Sequence, residues 1–177
     1  WFARRTDEEL AEAVRSLAQA PLHKPRERWL DTALQVQRRY PLQGPDHPDS
    51  LGVPTWLYGH EPPTVFATRV AKYFANSVRE EGLLTMARHG VIYAQGSAGT
   101  IQEIFQDATQ NHYRTAGVIS PMVFFGEAYW KWDKPVYPLL VQLAAGHEYA
   151  SLIRTADTVD EVVQIIEHYA ASTEGGR

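Results

Sequence analysis

The 177-residue chain contains no cysteine. Disulfides and thiolate metal sites are thereby excluded, and the composition fits the cytoplasm, where the protein is expected to reside. No apolar run is long enough to cross a bilayer, and no signal-peptide pattern is seen, so no membrane partner is expected. Basic charge is not in excess: 17 Lys and Arg against 21 Asp and Glu leave a net charge of −4. The overall field therefore does not favour a nucleic-acid partner. The seven histidines lack metal spacing such as H-E-x-x-H, so no metal is expected. Walker A loops and serine nucleophile elbows are also missing. Lys24, Lys72, Lys131 and Lys134 are the only lysines, and none stands in a recognisable pyridoxal phosphate setting. No cofactor is expected. Internal repeats and low-complexity segments are absent as well.

What is present reads as a globular α/β protein. Apolar residues make up 44% and charged residues 21%, which with this length suits one domain with a real core. Thr6-Asp7-Glu8-Glu9 forms a capping-box pattern and predicts a helix over 7–19. A second helix is expected over 25–39, with Pro25 at its start. Pro41, Gly44, Pro45 and Pro48 mark a long loop. A strand is expected over 53–58, a long helix over 64–88 that Gly82 bends or splits, and a short buried strand over 90–94. A helix over 99–112, a strand over 121–125, a helix from about Pro135, a strand over 151–155 and a final helix opening at Thr158 complete the pattern. Alternating strands and helices predict a Rossmann-like parallel sheet flanked by helices. The expected organisation is a helical segment with a Pro-rich loop over 1–49, the Rossmann core over 50–171 and a frayed tail over 172–177. The opening Trp1-Phe2-Ala3 is apolar where chain ends are ordinarily polar. It reads as the inside of a larger domain, or as the first residues that happen to be ordered.

The most informative run is Gly96-Ser97-Ala98-Gly99-Thr100-Ile101-Gln102-Glu103. It joins the strand-like Gly90-Val91-Ile92-Tyr93-Ala94 to a helix. Free N–H groups and the positive dipole end of a first helical turn bind anions, so Gly96, Ser97, Ala98, Gly99 and Thr100 are candidate phosphate ligands. A carboxylate at Glu103 would repel a phosphate at the same spot. One turn along, it points instead to acid–base or charge-stabilising chemistry beside a bound phosphate.

This run resembles the P-G-G-x-G-T-x-x-E motif of the LONELY GUY family, long labelled "lysine decarboxylase". Asn76-Ser77-Val78-Arg79-Glu80 lies where that family has an arginine on the helix before the motif strand. The stretch from Pro54 to Asn111 is most similar to the larger bacterial branch, which includes nucleotide 5′-monophosphate nucleosidases. The resemblance covers about residues 50–170. It implies hydrolysis of the N-glycosidic bond of a nucleoside 5′-monophosphate, giving free base and ribose 5-phosphate, by a homodimer or higher assembly. Gln95 and Ser97 replace the family's proline and second glycine. The family's domain opens with a strand and glycine-rich turn, whereas residues 1–40 here read as helices. The chain therefore looks like the C-terminal part of such a domain, with an N-terminal segment of the same domain expected as its complement.

N-glycosidic cleavage builds positive charge on the ribose. A carboxylate near C1′ stabilises that charge and can activate water. Glu103 is the expected catalytic group. Arg79 would hold phosphate or ribose, or orient Glu103, through its planar fork. His60-Glu61 is a weaker candidate, read mainly as loop. Tyr129, Trp130 and Trp132 could stack on a base, but read first as core or interface. Gln110-Asn111-His112 reads as a polar helix end. The stretches 121–125 and 64–88 are expected to offer dimer surface. A nucleotide-binding regulator without catalysis is the alternative reading.

Overall fold

Thr6 begins the first helix as the sequence demands. Its hydroxyl accepts from Glu9 N–H at 3.2 Å and its N–H donates to the Glu9 carboxylate at 3.1 Å. In the computed structural model, residues 1–20, 26–45, 47–55 and 64–174 are described. The chain divides into two units, Trp1–Arg79 and Glu80–Arg177.

The first unit contains α1 (Asp7–Ala18), α2 (Arg26–Arg39) and two short parallel strands, β1 (Leu51–Gly52) and β2 (Arg69–Val70). Ala13, Val36 and Tyr40 form its core, with Phe2, Leu17 and Phe66 packed against them. The apolar opening has a local use: Trp1 Nε1 donates to Tyr40 O at 2.6 Å, and its ring meets Phe66 edge-on.

Two expectations fail in this unit. The strand expected over 53–58 forms earlier, at β1, while residues 53–55 are not strand and 56–58 lie outside the described residues. Pro54 lacks the N–H a ladder needs. The helix expected over 64–88 forms only as α3 (Asn76–Met86), which begins in this unit. Val65, Val70, Phe74 and Val78 have the spacing of one helical face, but that face is largely outside: Phe74 is 82% exposed, Val70 61% and Val78 53%. Apolar spacing alone had suggested a buried face that tertiary packing does not use. Gly82 does not split α3, which runs unbroken from Asn76 to Met86.

The second unit is the Rossmann-like α/β part. Its elements are β3 (Val91–Tyr93), α4 (Ala98–Tyr113), β4 (Met122–Phe125), a π-helical turn (Tyr129–Asp133), α5 (Val136–Ala144), a 3-10 turn (Glu148–Leu152), β5 (Ile153–Ala156) and α6 (Val159–Glu174). The three-stranded sheet runs β3-β4-β5, all parallel, with Val91 opposite Met122 and Met122 opposite Ile153.

Helices cover both faces of this sheet. Side chains alternate along β4, so Met122 and Phe124 join Tyr93, Ile104, Ala108, Leu140 and Ala144 on the side of α4 and α5. Val123 packs with Ala156 and Val162 on the side of α6. Met122, Val123 and Phe124 are fully buried, so this stretch is core and not dimer surface. Pro138 lies in the first turn of α5, where the missing N–H disrupts no helical bond. α6 continues through Glu174, past the expected fraying point at 172.

Trp130 is core, edge-on to Phe124 at 5.5 Å, with its indole N–H donating to Phe125 O. Trp132 is 78% exposed. Asn111 is a buried lock and not a base reader: it accepts from Ser120 N–H at 2.8 Å and donates to Ser120 O at 3.2 Å.

Candidate functional site

β3 ends at Tyr93, and Ala94, Gln95, Gly96 and Ser97 carry the chain into α4. The turn thus lies at the carboxyl edge of a parallel sheet, where such folds bind ligands. Ser97, Ala98 and Gly99 are exposed, and Gly96 and Thr100 are half-buried. Ser97 occupies the N-cap position, yet its side chain makes no capping bond. The first helical bond runs from Ile101 N–H to Ser97 O at 3.0 Å. The N–H groups of Ala98, Gly99 and Thr100 precede it, so the helix itself offers them no carbonyl.

The two glycines of this run serve different needs. A Cβ on Gly96 would stand 2.6 Å from Thr100 Cβ and 3.0 Å from its Cγ2, so the turn closes only without a side chain. A Cβ on Gly99 would meet nothing within 4 Å, and Gly99 has no left-handed φ. Neither crowding nor backbone strain requires glycine there. Its lack of a side chain leaves the approach to the helix N–H groups open.

Glu103 sits one turn into α4, half-buried, and lines a cleft of about 400 Å³ together with Thr100, Gln95, Tyr93 and Glu80. That volume is within the range of small-molecule sites. Two of the expected loop and catalytic residues, Thr100 and Glu103, therefore share one cavity wall. Glu80, on α3, is buried in the same wall and accepts from Gln102 Nε2 at 2.6 Å.

Behind Glu103 lies a buried polar relay. Tyr93 Oη donates to Asp107 Oδ2 at 2.5 Å, and Asn111 Nδ2 lies 3.4 Å from Asp107 Oδ1. Burial pushes the Asp107 carboxyl up to about 6, against the opposing pull of the Tyr93 hydrogen bond. The Tyr93 phenol is held well above its ordinary value by burial first, then by the charge of Asp107, the bond to it and the charge of Glu103.

Arg79 is the last residue of the first unit. Its Nε donates to Asn76 Oδ1 at 2.9 Å and its Nη1 reaches Val53 O at 3.3 Å. His60 and Glu61 lie outside the described residues.

Sequence reading missed the residues that hold the turn. Tyr129 Oη donates to Gly96 O at 2.6 Å, and Lys134 Nζ donates to the same oxygen at 2.9 Å. Tyr129 had been a candidate for stacking on a base, and Lys134 had no assigned role. No local motif could have exposed them, since they reach Gly96 across 33 and 38 residues.

A larger cleft of about 730 Å³ runs along α6 beside β5, lined by Arg154, Glu161 and His168 among others. Glu161 is already engaged there as the α6 cap, accepting from Asp157 and Thr158 N–H. The smaller cleft is the one that holds Glu103; of the candidate phosphate residues Thr100 lines it, and Gly96, Ser97, Ala98 and Gly99 do not. Among the described residues no group of three or more His, Asp or Glu side chains is placed to hold a metal ion. No protein-family model matches the chain, and no curated protein matches it either.

Proposed function

We propose that the protein hydrolyses the N-glycosidic bond of nucleoside 5′-monophosphates, releasing free base and ribose 5-phosphate. The observation that carries this is the pairing of an uncapped α4 N-terminus with Glu103 one turn along, where Glu103 and Thr100 line one cleft. The separation suits the substrate. Phosphate would sit on the N–H groups of Ala98, Gly99 and Thr100, and the sugar would extend toward Glu103. There a carboxylate opposes the positive charge that develops on the ribose and receives a proton from the attacking water.

The resemblance of Gly96–Glu103 to the LONELY GUY motif supports the same chemistry. Arg79 would contact phosphate or ribose, a role that rests on the resemblance. A cytoplasmic homodimer belongs to this proposal too; the described residues include no helix long and apolar enough to cross a membrane. A panel of nucleoside monophosphates, assayed for free base by chromatography, tests the reaction. Glu103→Gln is expected to lower base release at least about a hundredfold while nucleotide binding persists. Release undiminished by that substitution would exclude Glu103 as the reactive carboxylate.

A non-catalytic nucleotide sensor is the second reading. It is favoured by Gln95 and Ser97 standing where the resembled motif has proline and glycine. Tight binding without turnover across the panel would establish it.

A further inference from the structure

Two donors on one carbonyl are more than an ordinary turn requires. Gly96 O receives both Tyr129 Oη and Lys134 Nζ, at 2.6 and 2.9 Å. The segment that brings them together is a π-helical turn, closed by Lys134 N–H donating to Tyr129 O at 2.8 Å. Single π turns of this kind often mark functional positions. In an α-helical turn the residue stacked over Tyr129 would be Asp133, whose charge would repel an anion. The i to i+5 closure replaces it with Lys134, whose Nζ lies 5.8 Å from the Tyr129 ring centre. Asp133 is exposed.

Charge pairing separates Lys134 from its neighbour. Lys131 is bonded to Glu127 at 2.9 Å. Among the described residues no carboxylate pairs with Lys134, so its charge stays available to the turn beside α4. The peptide unit adds a directional consequence. It is planar and trans, so fixing the Gly96 carbonyl toward Lys134 and Tyr129 turns the Ser97 N–H to the opposite side.

We propose that Lys134 and Tyr129 are positioning residues for a phosphoryl group. They lock the Gly96–Ser97 peptide so that Ser97 N–H joins the free N–H groups of Ala98 and Gly99, and Lys134 adds a fixed positive charge behind them. This inference rests on the reading of the turn as a phosphate site. It goes further by naming the residues that set the turn's affinity and by making that affinity specific to the phosphoryl part of the ligand.

The test is calorimetric titration of the full chain with adenosine 5′-monophosphate, inorganic phosphate and adenosine, with base release measured separately. Lys134→Gln is expected to weaken monophosphate and phosphate binding about tenfold, through loss of the positive charge beside the anion and of the bond that fixes the Gly96 carbonyl. It should leave adenosine binding nearly unchanged and make monophosphate binding less sensitive to salt. Lys134→Arg should restore most of the affinity. Tyr129→Phe, which keeps the ring, should weaken binding about threefold. If Lys134→Gln fails to fold, Tyr129→Phe decides.

Wild-type affinity in a folded Lys134→Gln protein, or equal losses for monophosphate and adenosine, would overturn the proposal. Monophosphate binding without base release would remove the hydrolase reading and leave the positioning role standing. Base release that both variants leave unaltered would do the reverse. No monophosphate binding by the wild-type chain would remove both.

Discussion

Alanine at Gly99 and alanine at Gly96 are expected to act in opposite directions, although both residues belong to one short run. Gly99 is the second residue of α4, and a Cβ there meets nothing within 4 Å. Alanine restricts the unfolded chain more than glycine and prefers the helix. Gly99→Ala should therefore stabilise by about 0.5–1 kcal/mol, a rise in thermal midpoint of roughly 2 °C for a chain of this size. The added methyl would stand in the open space through which a phosphate oxygen approaches the N–H row. Affinity for a nucleoside monophosphate should fall about tenfold or more, as for loss of a charged hydrogen bond.

Gly96→Ala meets a different obstacle. Its Cβ would lie 2.6 Å from Thr100 Cβ, against about 3.5–4.0 Å for a comfortable carbon contact. Overpacking of this kind costs about 1–3 kcal/mol, a drop of roughly 5 °C. Thermal unfolding by circular dichroism and calorimetric titration with adenosine 5′-monophosphate measure both quantities on the same samples. A Gly99→Ala protein that melts lower, or that binds the nucleotide as wild type does, would refute the assignment of Gly99 to ligand access. A Gly96→Ala protein as stable as wild type would refute the assignment of Gly96 to the closing of the turn.

Two further outcomes follow from buried groups. Asp107 has its carboxyl raised from 3.8 to about 6, so from about pH 4 to 6 the native state holds a proton that the unfolded chain has lost. The contribution is present below pH 4 and is lost as pH rises through 6. The urea unfolding free energy of wild type relative to Asp107→Asn should fall across that window by an amount on the order of 3 kcal/mol, and a flat difference would refute the shift. Trp130 is wholly buried, packed on Phe124 and hydrogen-bonded to Phe125 O. Trp130→Ala should cost about 3–5 kcal/mol in urea unfolding, and a loss below about 1 kcal/mol would contradict its place in the core.

Legibility in the sequence followed the range of the interactions. The Thr6–Glu9 capping box is written within four residues and forms as written. The uninterrupted apolar run Met122–Phe125 gives the central strand of a parallel sheet, where both faces must be covered. Residues 64–75 were misread because Val65, Val70 and Phe74 have helical spacing without a helical partner. Spacing reports a possible face, and only packing decides whether that face is used. The passage from β3 through the glycine turn into α4 was legible for the opposite reason: turn and helix-end signals are local.

What remained hidden depends on side chains that meet only after the sheet has formed. β3 and β4 must pair, Val91 against Met122 through Tyr93 against Phe124, before the segment after β4 comes beside the turn after β3. The closure at Tyr129–Asp133 must also be i to i+5, a choice that no hydrophobic period encodes. With those two conditions met, the lysine 38 positions downstream reaches the carbonyl of Gly96. The anion binding proposed for the run would therefore draw on a local property, while the direction in which its peptides face is a tertiary one. A phosphate site needs both, since N–H groups bind an anion only where their shared orientation is held against thermal rotation of the loop.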